Sequence, residues 1–133
     1  MNVLKLLLPK QDVDVIEIGD TLRQAVSKMS YHHYSVIPVL SKQGHYLYSI
    51  SAGDLLFYMA EHNLTLKEAE NWPLDAVPVH RLIPSLPITA SLSEIRDHLR
   101  DQNYAPMVDD NGVFVGIITR KSFVTQAMKL IEE

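Results

Sequence analysis

One sequence pattern occurs twice in this chain, and a duplicated pattern constrains a fold more than any single motif, because each copy has to form the same kind of unit. Thr21-Leu22-Arg23-Gln24 has the form of a capping box, in which a hydroxyl and a carboxamide each satisfy an orphan N–H at a helix start. Leu22, Ala25, Val26 and Met29 then fall at i, i+3, i+4 and i+7, so a helix over residues 21–32 buries one stripe. Seventy residues on, Ser91-Leu92-Ser93-Glu94 is again a capping box, with Leu92, Ile95 and Leu99 on one face.

After each helix comes a short proline-bearing run, Val36-Ile37-Pro38-Val39-Leu40 in the first copy and Pro106-Met107-Val108 in the second. Six residues beyond each proline stands a glycine, Gly44 or Gly112, which marks a turn into another apolar run at 46–50 or 113–118. Each pair predicts a β-hairpin. Seven residues further is a hydroxyl, Ser51 or Thr119, placed as the N-cap of a closing helix. Phe123, Val124, Ala127, Met128 and Ile131 give the second closing helix a single apolar face. Short strands precede the first helices near 13–18 and 83–88. The expected fold class is α/β (α+β): two pseudo-symmetric β-α-β-β-α repeats over 1–62 and 79–133, joined by a structured connector over 63–78. There Thr65-Leu66-Lys67-Glu68 caps a short helix that Pro73 stops. About sixty residues is marginal for an independent core, so the copies are expected to bury their sheets against each other.

Charge and composition narrow the function. Twelve Lys plus Arg against sixteen Asp plus Glu leave a formal charge of -4, which carries no polyelectrolyte signal for nucleic acid or an anionic membrane. Any anion site must be local. The absence of cysteine excludes a disulfide framework, a thiolate nucleophile and a thiolate metal site, and fits a reducing compartment. The apolar run at residues 6–8 is too short for a signal segment or a membrane span, so a soluble cytoplasmic protein is expected.

The first copy reads Ile37-Pro38-Val39, a turn glycine, an apolar strand and Ser51-Ala52-Gly53-Asp54-Leu55-Leu56. The second runs from Pro106 to Gly116-Ile117-Ile118-Thr119. Together they closely resemble a tandem pair of cystathionine β-synthase (CBS) domains, a Bateman module, over essentially the whole chain. The resemblance implies a non-enzymatic regulatory module that binds an adenine nucleotide, cyclic di-AMP or AMP, ADP or ATP, in clefts between the copies. It also implies a homodimer that relays occupancy to an unidentified effector protein, with no cofactor beyond the regulatory ligand. One implied set of contacts joins Lys10, Asp12 and Asp14, with Tyr34, Ser35 and Val36, to Thr119, Arg120, Lys121 and Ser122. The second cleft joins Ser51 and Asp54 to His80, Arg81, Tyr104 and Ala105. Thr119-Arg120-Lys121 without a following Asp, together with Tyr34-Ser35, is similar to small free-standing bacterial CBS-pair proteins that bind cyclic di-AMP through a Thr-Arg-Arg run. Lys121 keeps the charge of that run but not the guanidinium fork, and Asp12 stands where those proteins carry a basic residue.

The chemistry of the residues is compatible with this. Asp54, one turn after Ser51, can accept two hydrogen bonds from a ribose diol while the helix N-terminus favours a phosphate. The same two residues also read as a plain cap with a carboxylate in the favourable first turn. Ser122, where the resemblance expects the ribose-binding Asp, is a weaker and uncharged acceptor. Arg120 and Lys121 place two cations at a helix start that the macrodipole disfavours, which points either to an anionic partner or to two solvated side chains. Tyr34 is the candidate for stacking on a purine, the other tyrosines of the first half being packing residues. No pair of histidines has the i, i+4 spacing with a neighbouring carboxylate that zincins use, and no nucleophile elbow or phosphate loop is present, so neither a metal site nor catalysis is expected. The alternative to a sensor is a structural or dimerisation module with degenerate, empty clefts.

Overall fold

The computed structural model describes residues 2–32 and 35–132, so Tyr34 lies outside the described residues. Along the chain run β1 (Leu8–Pro9), β2 (Ile16–Glu17), α1 (Leu22–His32), β3 (Val36–Leu40), β4 (Tyr46–Ser51) and α2 (Ala52–Glu61). They are followed by β5 (Leu86–Pro87), α3 (Leu92–Asp101), β6 (Tyr104–Val108), β7 (Phe114–Thr119) and α4 (Arg120–Glu132). Among the described residues these elements form two compact units, one over Val15–Leu82 and one from residues 2–14 with 83–132.

The Val15–Leu82 unit is built on the sheet β2-β3-β4. β2 runs parallel to β3, as the intervening α1 crossover requires, and β4 runs antiparallel to it. The predicted hairpin forms, with Val36 opposite Ser51 and Ile37 opposite Ile50. Its turn uses Gly44 at φ 88°, a conformation glycine adopts without steric cost. The stripe Leu22, Ala25 and Met29 of α1 is buried against Ile37, Val39 and Ile50 of the sheet and Leu55 and Tyr58 of α2. The connector is structured and joins this core through Ala69, Leu74 and Val77. Its Trp72 carbonyl accepts from Leu22 N at 2.8 Å, and the Trp72 indole N–H donates to the Tyr58 hydroxyl at 2.9 Å.

The other unit carries the sheet β1-β7-β6-β5. Its β6–β7 hairpin repeats the first: Tyr104 lies opposite Thr119 as Val36 lies opposite Ser51, Gly112 turns at φ 80°, and both ladders slip one residue before the turn. Leu6, Ala90, Ile95, Leu99, Ala105, Met107 and Ile118 form the core. The lead-in strands are shorter than the sequence pattern predicts, two residues each in β2 and β5. β1 is not foreshadowed at all: Leu8 and Pro9 pair with Ile117 and Gly116 and add a fourth strand to the sheet of the second copy. Glycine at 116 permits this approach, because a Cβ there would lie 2.2 Å from the Leu8 carbonyl oxygen and the backbone sits at φ 153°. The apolar face expected on α4 divides: Phe123 packs on the core while Val124, Met128 and Ile131 are exposed.

Candidate functional site

Both closing helices start on the hydroxyl that the spacing predicts, but the two starts are wired differently. At α2 the capping box is reciprocal. Ser51 Oγ accepts from Asp54 N at 3.0 Å, and Asp54 Oδ2 accepts from Ser51 N at 3.0 Å. The other carboxylate oxygen, Oδ1, accepts twice from His80, from its Nδ1 at 2.8 Å and its backbone N at 3.2 Å. Asp54 is therefore buried with both carboxylate oxygens accepting hydrogen bonds, while His80 is mostly exposed. Burial pushes the Asp54 carboxyl up, but the hydrogen bonds from Ser51 and His80 outweigh it and hold the pKa below the ordinary carboxylate value. Ser35 and Val36 belong beside this start, since the Ser35 carbonyl accepts from Ala52 N at 2.9 Å and Val36 pairs with Ser51. Arg81 follows as an exposed side chain.

At α4 the cap is neutral. Ser122 N donates to Thr119 Oγ1 at 3.0 Å and Ser122 Oγ donates to the Thr119 carbonyl at 3.0 Å, so the serine satisfies the helix start without offering a charge. The Arg120 guanidinium turns away from the helix N-terminus. Its Nε donates to the Leu99 carbonyl at 2.9 Å and its Nη2 to the Gln102 carbonyl at 3.1 Å. It thus caps the C-terminal end of α3, where a cation is favourable, and this removes the electrostatic conflict that an arginine at the start of α4 otherwise presents. The sequence carried a signal for this: an arginine disfavoured at its own helix start is long enough to serve a neighbouring helix end. Lys121 is exposed. The 3-10 turn Lys10–Asp12 packs against β7, so Lys10 and Asp12, both exposed, and Asp14, half-buried, share a unit with Thr119–Ser122. Tyr104 and Ala105 are buried in the same unit, and the Tyr104 carbonyl lies 3.1 Å from His98 Nε2. Burial holds His98 below the ordinary histidine pKa.

Within the units, then, the structure brings Ser35, Val36, Ser51, Asp54 and His80 together at one helix start, and Tyr104 and Thr119–Ser122 at the other. The engagement of Arg120 by α3 is a feature that sequence spacing did not reveal, and His80 and Asp54, which the resemblance groups in one cleft, meet here in a direct hydrogen bond. No group of three or more His, Asp or Glu able to hold a metal ion occurs among the described residues, and no helix is long and apolar enough to cross a membrane.

The CBS-domain family model matches residues 6–61 and again 75–129. Among solved structures, a CbpB in complex with c-di-AMP is similar over 99% of this chain and 87% of its own, at 25% identity and a TM-score of 0.88. The Streptococcus agalactiae CbpB is similar over 98% of this chain and 85% of its own, at 25% identity and a TM-score of 0.84. The fold is also that of the Listeria monocytogenes CbpB in complex with c-di-AMP, at 22% identity, a TM-score of 0.85 and coverage of 99% and 98%. No curated protein matches the sequence significantly.

Proposed function

The chain belongs to the CBS-domain family as a tandem pair, and on that premise we propose that it is a non-enzymatic regulatory module that senses an adenine nucleotide, cyclic di-AMP foremost, and relays occupancy to a partner protein. The likeness over nearly the whole chain to a CbpB whose structure holds c-di-AMP carries this reading. The chain's own chemistry supports it. Lys121 in the first turn of α4, Lys10 on the turn against β7 and the amides at the α4 N-terminus suit a phosphate. Asp12 and Asp14, acceptors only, suit ribose hydroxyls or an adenine amino group. Arg120 Nε and Nη2 are engaged by the carbonyls at the end of α3, so those donors reach a phosphate only by leaving them. The module works in the cytoplasm as a homodimer that covers the exposed Val124, Met128 and Ile131 of α4.

A second reading, a structural module without ligand, is favoured by one observation: Asp54 and Arg120 are both already satisfied within the chain. Thermal unfolding with AMP, ADP, ATP, S-adenosylmethionine and cyclic di-AMP separates the two. A ligand at ~100 times its Kd adds ~2.7 kcal/mol, a rise in Tm of roughly 5–15 °C. Such a rise is expected with cyclic di-AMP, and no rise with any of the five would establish the structural reading.

A further inference from the structure

We propose that His80 is a built-in gate on the Ser51–Asp54 subsite, holding the carboxylate oxygen that a ribose diol needs and closing that subsite until the imidazole swings out. The inference rests on the adenine-nucleotide reading and assigns regulation to one half of it. A carboxylate offers about four acceptor positions. Asp54 commits Oδ2 to the Ser51 backbone and Oδ1 to two His80 donors, so a diol that donates twice has to displace His80.

The two partners differ in how easily they move. The Asp54 side chain is 6% exposed and fixed by its capping box, whereas the His80 side chain is 64% exposed and returns to water by a single rotamer change. The contact is therefore closed at rest and openable, with the histidine as its moving part. The other helix start carries no counterpart: Ser122, at the position matching Asp54, bonds only locally to Thr119 in the contacts described for it. One of the two pseudo-equivalent subsites is thus gated by its own chain, and the duplicated sequence yields two subsites of unequal readiness.

The test is calorimetric titration of the full chain with AMP, which has a free 2′,3′-diol, and with 2′-deoxy-AMP, which lacks it. His80→Ala should bind AMP at least about tenfold more tightly than wild type, the effect of removing one charge-assisted competitor. It should show no such gain for 2′-deoxy-AMP, and adding Asp54→Asn should abolish the gain. His80→Ser provides the same comparison should the alanine variant misfold, as judged by circular dichroism. Equal AMP affinity in wild type and the His80 variants, or a gain that survives Asp54→Asn, overturns the gate. If cyclic di-AMP still binds wild type in that case, the nucleotide-sensing reading stands and only the gate falls. If neither AMP nor cyclic di-AMP binds any of these proteins, both fall together.

Discussion

A carboxylate taken out of water stays ionised only if donors replace its hydration, and Asp54 finds them in two stretches of chain 26 residues apart. Because its folded pKa is depressed, it contributes stability that is fully present above the unfolded carboxylate value of about 3.9 and is lost as the pH falls through the lower folded value. Asp54→Asn should therefore cost about 1–3 kcal/mol in urea denaturation at pH 7. The gap from wild type should close as the pH drops below that carboxylate range, and a gap constant down to pH ~2 would show that the ionised form is not what stabilises the fold. Arg120 poses the complementary case of a cation serving a helix end 21 residues away. Arg120→Ala should lower stability by about 1–2 kcal/mol, since it strips capping donors from α3. Lys121→Ala should stay within about 0.5 kcal/mol of wild type while weakening cyclic di-AMP binding about tenfold in calorimetry. The reverse pattern would make Arg120 the phosphate ligand and Lys121 the structural residue.

At the scale of elements, the unforeseen piece is β1, two residues long and dependent on the absence of a side chain across from it. Gly116→Ala would drive a methyl into the Leu8 carbonyl, so β1 should leave β7. The expected outcome is a loss of more than about 1 kcal/mol and faster tryptic cleavage after Lys10. Gly53→Ala is the control. A Cβ there meets the Phe57 ring at an ordinary 3.5 Å, and alanine in a helix is worth up to about 1 kcal/mol over glycine. It should leave stability equal or raised. Equal effects of the two substitutions would mean that β1 docking does not depend on the close approach at 116. The hairpins, by contrast, are locally encoded: Gly44 and Gly112 take up positive φ and the Asp109 side chain accepts from Asn111 N and Val113 N at 2.9 Å.

For the whole molecule, the apolar side chains that α4 leaves exposed set the expected assembly. Val124, Met128 and Ile131 lie at helical spacing on its exposed side, and Phe123 is turned inward. Met128→Lys with Ile131→Asp should leave monomer stability within about 1 kcal/mol yet shift sedimentation from dimer to monomer at micromolar concentration. A wild-type monomer under those conditions would refute the dimer and leave the fold untouched. The sequence by itself determined the duplicated plan, the capping boxes at Thr21, Ser91 and Thr65, the two hairpins and the hydroxyl starts of α2 and α4. The caps join residues three positions apart and the hairpins residues at most 15 apart, where spacing alone fixes who can bond to whom, and the duplicated plan is the repetition of those local units. The tertiary structure alone decided that Leu8 pairs with Ile117, that His80, grouped with Asp54 by the resemblance, donates directly to its Oδ1, and that the Arg120 guanidinium faces α3. These contacts join positions 18 to 109 residues apart, and which of many polar groups meet across such distances is set by how the elements pack, a quantity that periodicity does not encode.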